Sequence, residues 1–576
     1  MITLTSCPKA YTKDLDKAVS PAQTVERVRQ RLRACDLDIL ARTTRVDVGR
    51  LGIPVYLSVC GEDAKRIMPT RKQMGKGSSA EQAQASAIME LMERYAFFSF
   101  WERGADMVDA TWSEAEARFG AELLPLDEIL KSVQESLPLA QARRLMDVRR
   151  WHFYPATCLS TGRVTWLPLD WFKLLSEFNG TSAGNTNEES LLQGCCELVE
   201  RHACCVVDRQ RMITPTIDPA SVDDPVLRGL LDAFAAQHIH LVLKDFSAGM
   251  PVPTVGAVAW DASTFPARSE IVFTAGTAAS PAKAAIRAVT EVAQLAGDFC
   301  TGACYEASGL SKFSTLEDIQ WLLTGESVPL SSLPTVERDD IRDELLAAIA
   351  GLGAQGYTVY AVETTHPALG VPGHYTIIPG LSFRERDKNQ SLGLFIGRKL
   401  AEEADMDEAE AGLRVLAECY PQGHFLPFFR GMLAMRAGDM PAAHTAFRAA
   451  ALVQPEADAA ALAQFYAGYT LTLQDQWAQA QPFLEAAFRL CPDMKEYGNL
   501  CGVACFKQQK YAEAAAHFER VLKIDKGSVL DLANLGLCHK FQGNREQAEH
   551  YLSAALEIDP SLGFARTHLE ELRQQD

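Results

Sequence analysis

Hydrophobic positions divide the chain into two stretches with different periods. Up to about residue 395, short runs rich in Val, Ile, Thr and Tyr alternate with long segments whose apolar residues recur every three to four positions. Short runs bounded by Gly and Pro predict strands, and the longer periodic segments predict helices. The predicted strands are IPVYLSV, VPTVGAVAW, EIVFTAGTA, YTVYAVETT and HYTIIPG. Residues 1–395 are therefore expected to form one domain of mixed helices and sheets, an α+β or α/β fold.

Beyond that point the pattern becomes a repeat of 34 residues. Small residues recur at Gly431, Gly468, Gly502 and Gly536, with spacings of 37, 34 and 34. Alanines recur in the same register at Ala409, Ala443, Ala480, Ala514 and Ala548, and each is followed four residues later by Leu or Phe. This is the tetratricopeptide pattern, in which helix–turn–helix units stack into an all-α solenoid.

The repeat fixes the expected limits of the second part. Residues 396–421 are predicted to be a helical linker or a partial repeat, and residues 422–576 to be repeats with a closing helix. Such an array offers a concave surface for a peptide or a partner protein. It can equally be a packing surface for a homodimer, and the sequence leaves both interpretations open.

Charge and composition narrow the classes of partner. The 576 residues carry a formal net charge of −18 and a pI of about 5.2. Such a surface repels nucleic acids and anionic membranes, so neither is an expected partner. No apolar run reaches the length of a membrane span or a signal peptide, which predicts a cytoplasmic protein. The 15 cysteines form no CxxC pair and are expected to be reduced, although Cys300 and Cys304 could be metal ligands or core residues.

One charged pattern occurs twice inside otherwise apolar helices. The sequence ExxER is present at Glu90–Arg94 and again at Glu197–Arg201. Glu189 lies two helical turns before Glu197 and shares its face, with Asn185 four residues further back. A third predicted helix carries Arg287 and Glu291 at an i, i+4 spacing. Acidic side chains are thus placed on three helices.

A single ExxER has an ordinary explanation, which is an ion pair on a solvated helix face. Here the flanking residues are Leu, Met, Val, Phe and Cys, so part of each face should be buried. Buried carboxylates must be paired or bound to metal, and three arginines are too few for all of them. Because carboxylate oxygens suit Mg²⁺, and Mg²⁺ often bridges carboxylates to phosphates, the pattern predicts a metal-dependent nucleotide site. No GxGxxG or P-loop motif is present to bind phosphate instead.

Several blocks, taken in order, resemble the YcaO family over roughly residues 15–395. They are SPAQTVERV from Ser20, TRVDVGRLGIPVYLSV from Thr44, GKGSSAEQAQASAIMELMER from Gly75, SAGNTNEESLLQGCCELVER from Ser182, RAVTE from Arg287 and IIPGLS from Ile377. The resemblance implies a YcaO-type ATP-binding domain of mixed sheets and helices.

The resemblance also implies a set of site residues. The metal ligands for Mg²⁺ would be Glu90, Glu93, Glu189, Glu197, Glu200 and Glu291. The residues that contact ATP would be Lys17, Thr24, Ser86, Asn185, Gln193, Arg201 and Arg287. Lys76, in the sequence GKG, could either approach the phosphates or simply lie in a tight turn. The resemblance assigns no catalytic base.

Members of the family activate a backbone amide of a peptide by phosphorylating its oxygen. An internal Cys, Ser or Thr nucleophile then gives an azoline, and external sulfide gives a thioamide. Azoline-forming members often end in a proline-rich tail, whereas this chain ends in EELRQQD after the repeats. The combination with repeats is more similar to stand-alone members, one of which is an accessory to methylthiolation of a ribosomal protein.

The expected partners follow from that activity. They are a peptide or protein substrate, a sulfur-donor or leader-binding protein, and a second copy of the chain. The alternative is a scaffold that senses nucleotide without turnover and binds partner proteins through its repeats.

Overall fold

A computed structural model describes residues 1–576 except 48, 105, 297–298, 300–309, 385–388 and 575–576. Cys300 and Cys304 therefore lie outside the described residues. The chain forms two compact units, the first comprising residues 1–139 and 150–390 and the second comprising residues 140–149 and 391–576. The domain limits at residues 395 and 421 remain predictions. Within the described ranges, no helix combines the length and the apolar character that a membrane span requires.

The first unit contains the strands. They are β1 (Leu40–Arg45), β2 (Val55–Cys60), β3 (Lys72–Lys76), β4 (Val108–Ala110), β5 (Trp151–Cys158), β6 (Val164–Pro168), β7 (Thr181–Ala183), β8 (Thr216–Ile217), β9 (His240–Asp245), β10 (Thr254–Trp260), β11 (Val272–Thr277), β12 (Ser327–Val328), β13 (Tyr360–Glu363) and β14 (Gly373–Ile377). All five strands predicted from short apolar runs are present, as β2, β10, β11, β13 and β14.

Helices separate these strands along the chain. They are α1 (Pro21–Ala34), α2 (Glu62–Ile67), α3 (Ala80–Arg103), α4 (Trp112–Phe119), α5 (Leu126–Ser132), α6 (Leu139–Met146), α7 (Leu169–Ser176), α8 (Asn187–Gln210), α9 (Pro225–Ala236), α10 (Pro281–Ala296), α11 (Gln320–Leu323) and α12 (Ile341–Ala354). Nearly all of α6 belongs to the second unit. The two 24-residue helices, α3 and α8, carry the two ExxER patterns.

The strands form three sheets. Their orders are β1-β2-β3, β11-β10-β9-β8-β12, and β4-β5-β13-β14-β7 with β6 added beside β5. Pairing is antiparallel throughout except between β8 and β12. All seven residues of β10 are buried, because it is an inner strand that α8 and α10 contact. Such a strand reads as a continuous apolar run rather than an alternating one.

Helix capping explains where the site helices begin. The side chain of Ser79 accepts a hydrogen bond from Gln82 N at the start of α3, and Thr186 accepts one from Glu189 N at the start of α8. Each hydroxyl satisfies one backbone N–H that the first helical turn would leave without a partner. In α1, Ser20 and Gln23 form a reciprocal capping box.

The second unit is a stack of helices. They are α13 (Leu392–Glu403), α14 (Met406–Cys419), α15 (Leu426–Arg436), α16 (Met440–Val453), α17 (Ala457–Thr472), α18 (Trp477–Leu490), α19 (Lys495–Lys507), α20 (Tyr511–Ile524), α21 (Val529–Phe541), α22 (Arg545–Ile558) and α23 (Gly563–Arg573). The acidic stretch 400–412 spans α13 and α14 and buries Leu400 and Ala409. Mixed apolar and acidic positions give these helices one buried face.

The repeat pattern has a direct packing cause. A Cβ at Gly502 of α19 would lie 2.5 Å from the ring of Phe518 on α20, so only glycine lets the two helices approach this closely. Gly431, Gly468 and Gly536 meet the large residue of their own second helix in the same way, at 2.7–2.8 Å. The helical tetratricopeptide array predicted from the sequence is confirmed.

Candidate functional site

A polar cavity of about 420 Å³ lies in the first unit. Its lining comes from α3, α8 and α10, from β3 and β11, and from residues 14–24 that precede or begin α1. All thirteen predicted site residues line it: Lys17, Thr24, Ser86, Glu90, Glu93, Asn185, Glu189, Gln193, Glu197, Glu200, Arg201, Arg287 and Glu291. The structure thus brings together residues that are up to 274 positions apart in the sequence.

Close packing of helices on strands brings two of the cavity walls together. Gly75 of β3 lies so near α3 that a Cβ would be 2.0 Å from Ala87 N. Gly276 of β11 lies equally close to α10, where a Cβ would be 2.4 Å from Ala284 O. Both obstacles are helix backbone, which cannot rotate aside as a side chain can. These two glycines therefore set the separation between each helix and its strand.

Each ExxER pattern holds one glutamate beside its own arginine. Arg94 Nη1 lies 3.2 Å from Glu93 Oε1, and the Arg94 guanidinium stacks 4.1 Å above the Phe178 ring. Glu93 Oε1 also accepts a hydrogen bond from the Thr181 hydroxyl at 3.0 Å. In the second pattern, Arg201 Nη2 lies 3.9 Å from Glu197 Oε1. The arginines thus lie within the site and reduce its negative charge only in part.

On the third helix, Glu291 forms an ion pair with Lys76 of β3. Lys76 therefore lines the cavity, and its approach to the phosphates remains a prediction. Burial and, to a smaller extent, the nearby Arg287 lower the pKa of Lys76 to about 7. A lysine with a lowered pKa loses its proton at a lower cost in free energy. Lys76 can therefore leave Glu291 when another cation or a phosphate enters the site.

Burial also acts on the carboxylates. It raises the pKa values of Glu90, Glu93 and Glu200 above their usual range, and the neighbouring arginines offset this only partly. A raised carboxylate pKa means that the ionised form is poorly stabilised by its surroundings. Bound divalent cations would supply the missing positive charge, and a set of carboxylate oxygens is the type that Mg²⁺ prefers.

Glu189 has a different environment from the other glutamates. Its Oε1 accepts a hydrogen bond from Ala18 N at 2.5 Å, and its Oε2 accepts two from Asn185, through N and Nδ2, each at 2.9 Å. Thr24 in turn donates to Asn185 Oδ1 at 3.1 Å. In this structure Glu189 therefore ties residues 18–24 to the start of α8, and its role as a metal ligand remains a prediction.

Arg287 shows where an anion could be held. Its Nη1 donates to Gln193 Oε1 at 3.0 Å, which joins two of the predicted ATP contacts. Its Nε is buried and makes no hydrogen bond to any residue that the structure describes. A buried guanidinium N–H without an acceptor is costly, and a phosphate oxygen is a strong acceptor for it.

The first 19 residues are bound along the unit by long-range contacts. Glu188 accepts a hydrogen bond from Thr5 N at 2.6 Å, and Asp340 accepts one from Cys7 N at 2.9 Å. Lys283 of α10 donates to the carbonyl oxygens of Thr12 and Lys13, both at 2.8 Å. These contacts hold the segment in which Lys17 lines the cavity and Ala18 N donates to Glu189.

Sequence reasoning missed several lining residues. They include Asp14, Ser78, Gln82, Arg94, Phe178 and Cys204. A signal existed for Arg94, because it occupies the same motif position as Arg201. Gln82 also had one, because it lies one turn before Ser86 on the face that carries Glu90. The others have no spacing that separates them from ordinary loop or core residues.

Comparison with known proteins identifies the family. The family profile described as "YcaO cyclodehydratase, ATP- and Mg2+-binding" matches residues 74–382, more than half of the chain. The chain belongs to the YcaO family. The resemblance proposed from the ExxER blocks is therefore confirmed, and the family's cofactors are ATP and Mg²⁺. A tetratricopeptide profile also matches, over residues 506–563.

Individual relatives match different shares of the chain. An uncharacterised protein of Methanothermobacter thermautotrophicus is 27% identical over 411 residues, which is 67% of this chain and 98% of the relative. The ribosomal protein S12 methylthiotransferase accessory factor YcaO of Escherichia coli is 24% identical over 340 residues, 54% of this chain and 57% of that protein. The structure of YcaO from Methanopyrus kandleri bound with AMPPCP and Mg²⁺ superposes with a TM-score of 0.50 at 21% identity, covering 67% of this chain and 97% of that one. This structural likeness shows a common fold.

Proposed function

We propose that this YcaO protein is an ATP- and Mg²⁺-dependent enzyme that activates a backbone amide of a peptide or protein. The observation that carries the proposal is the convergence of Glu90, Glu93, Glu197, Glu200 and Glu291 from three helices on one cavity. Positively charged side chains line the same space, so the cavity suits metal ions lying between carboxylates and phosphates. Family membership supports the same nucleotide and metal.

The residues divide by the chemistry of their side chains. The five glutamates would hold Mg²⁺, with Glu189 as a sixth candidate that also orders residues 18–24. Arg201 and Arg287 would contact the phosphates, and Lys76 could join them by leaving Glu291. Asn185, Gln193, Lys17, Thr24 and Ser86 would complete the nucleotide contacts. Fixed cations around a phosphoryl group provide most of the catalysis that phosphoryl transfer requires.

The proposed reaction transfers the terminal phosphoryl group of ATP to the amide oxygen. A nucleophile adds to the amide carbonyl carbon and its proton leaves to a base. The resulting oxyanion attacks the terminal phosphorus of ATP, and the bond from that phosphorus to ADP breaks. The phosphorylated oxygen then departs as phosphate, while the amide N–H proton or the remaining S–H proton leaves to a base and a carbon–nitrogen or carbon–sulfur double bond forms. ATP thereby supplies the phosphate that turns a poor leaving group into a good one.

The nucleophile determines the product. An internal Cys, Ser or Thr gives an azoline, and external sulfide gives a thioamide. The similarity to a methylthiotransferase accessory factor adds a third proposal, in which the chain assists sulfur insertion carried out by a partner. Candidate partners are a sulfur-donor protein, a leader-binding protein and a second copy of the chain, with the repeats as the docking surface.

The test is ATP binding and phosphate release with and without Mg²⁺ and candidate peptides. Glu197→Gln should weaken Mg²⁺-dependent ATP binding at least tenfold, since it removes one charged ligand from the set. Glu81→Gln is the matched control, because Glu81 lies exposed in the first turn of α3 and does not line the cavity. If Glu197→Gln binds and hydrolyses ATP like the unaltered protein, the site assignment is wrong.

A nucleotide-sensing scaffold is the second candidate, and the tetratricopeptide array favours it. Such arrays commonly bind other proteins. This function predicts Mg²⁺-dependent ATP binding that changes partner affinity without any phosphate release. Peptide-stimulated phosphate release would exclude it in favour of the enzyme.

A further inference from the structure

One side chain in the cavity has unused hydrogen-bonding capacity. Gln82, in the first turn of α3, is only 5% exposed and lines the cavity. Its carboxamide makes no hydrogen bond to any residue within the described part of the chain, whereas its backbone N–H donates to the Ser79 hydroxyl in the helix cap. A carboxamide that lines a cavity and has no protein partner can both accept from and donate to a group that enters the cavity.

The stem of Gln82 is fixed by packing. Gly77 lies against it so closely that a Cβ there would be 2.6 Å from Gln82 Cγ. Because the stem is confined between Gly77 and the helix, the carboxamide is held in the cavity rather than being free to turn away. The residue is therefore preorganised toward a ligand.

The position of Gln82 along α3 indicates which part of a nucleotide it meets. Gln82, Ser86, Glu90 and Glu93 lie at spacings of four, four and three, which places them within about 80° of one helix face. They extend over about 16 Å of helix length at 1.5 Å per residue. The chemistry along this line changes from neutral amide to hydroxyl to two carboxylates. A nucleoside triphosphate with its phosphates at the glutamates therefore has its base at the Gln82 end.

We propose that Gln82 reads the adenine of ATP through the edge formed by N6 and N7. This rests on the proposed function and adds its base specificity. A carboxamide can accept from the N6 amine while donating to N7, which is the bidentate pairing that Gln makes with adenine. Guanine presents two acceptors, O6 and N7, on that edge, so the same pairing is not available to GTP.

The test measures equilibrium affinity for Mg²⁺-ATP, 7-deaza-ATP and GTP by calorimetry. The unaltered protein should bind 7-deaza-ATP, which lacks the N7 acceptor, about tenfold more weakly than ATP. Gln82→Met preserves the packing over Gly77 but removes donor and acceptor. This variant should bind ATP about tenfold or more weakly than the unaltered protein does. Its affinities for ATP and 7-deaza-ATP should be equal.

Gln84→Ala is the control on the same helix. Gln84 donates to Thr43 Oγ1 at 2.8 Å and does not line the cavity, so this variant should keep the full difference between the two nucleotides. Equal affinity of the unaltered protein for ATP and 7-deaza-ATP overturns the inference without any variant. A difference that persists in Gln82→Met overturns it as well. Failure of the unaltered protein to bind ATP at all would overturn the proposed function and the inference with it.

Discussion

Replacing Gly75 by alanine should damage stability and nucleotide binding together. The added methyl carbon would lie 2.0 Å from Ala87 N and 2.5 Å from Ala83 O, both in the backbone of α3. Ordinary contact begins at 3.4 Å, so the strand and the helix must separate by about 1.4 Å at this point. No side-chain rotation can relieve the clash, because both obstructing atoms belong to hydrogen-bonded helix backbone.

The expected magnitudes follow from that displacement. Overpacking of a core typically costs about 1–3 kcal/mol, and a clash with backbone belongs at the upper end. A misplacement of about 1 Å in a catalytic array can lower the rate about 100-fold. Since Glu90 and Glu93 lie on α3, the shift moves them relative to Glu197 and Glu291 on the other two helices.

Urea unfolding followed by tryptophan fluorescence measures the stability of the first unit, because all of the eight tryptophans except Trp477 lie in it. Calorimetry measures Mg²⁺-dependent ATP affinity on the same samples. The control is Gly229→Ala in α9, where an added Cβ meets no atom of the described residues within 4 Å. That variant should be neutral or more stable by up to about 1 kcal/mol.

If Gly75→Ala matched the unaltered protein in both unfolding free energy and ATP affinity, close contact between β3 and α3 would not be what positions α3. The same conclusion would apply to Gly276, because a Cβ there would also meet helix backbone, that of α10.

Three further predictions concern other parts of the molecule. Gly502→Ala should lower the free energy of unfolding of the second unit by about 1–3 kcal/mol, because Phe518 must shift. Thermal unfolding followed by circular dichroism at 222 nm checks this prediction. An unchanged melting profile would contradict it. Lys283→Ala should speed amide hydrogen exchange in residues 12–18 and weaken ATP binding, since Lys283 holds two carbonyl oxygens of that segment; unchanged exchange would show that other contacts suffice. Burial lowers the pKa of His374 to about 4, below its value of about 6.5 in an unfolded chain, so protons bind preferentially to the unfolded state. As the pH falls from 7 to 5, the free energy of unfolding of the first unit should therefore decrease by about 2 kcal/mol because of His374. In His374→Asn this decrease should be about 2 kcal/mol smaller. An equal decrease in the two proteins would disprove the prediction.

The sequence predicted secondary structure best in segments where a pattern of residues was repeated or had a short period. Runs such as VPTVGAVAW gave β10, and the 34-residue register gave the helix pairs, because both depend on local periodicity. Repetition of ExxER also predicted that the glutamate helices meet in one cavity. Their roles as metal ligands, like the assignment of the ATP contacts, remain predictions.

Other features had no local signature. The sheet order β11-β10-β9-β8-β12 depends on pairing between distant strands, which apolar alternation does not encode. The position of Lys76 was ambiguous because GKG fits both a turn and a phosphate contact. Contacts of residues 1–19 depend on partners such as Glu188 and Asp340, which only the tertiary structure brings near.

Those first residues carry a consequence for synthesis of the chain. The hydrogen bond from Cys7 to Asp340 joins residues 333 positions apart, and Lys283 reaches Thr12 across 271. At roughly 5–20 residues per second, a ribosome needs roughly 17–67 s to make a segment of 333 residues. Cys7 must therefore stay without Asp340 throughout that interval, and Thr12 must stay without Lys283 while the next 271 residues are made. Residues 7–13 should consequently become protected from protease only after α10 and Asp340 have been made, although they precede both in the chain.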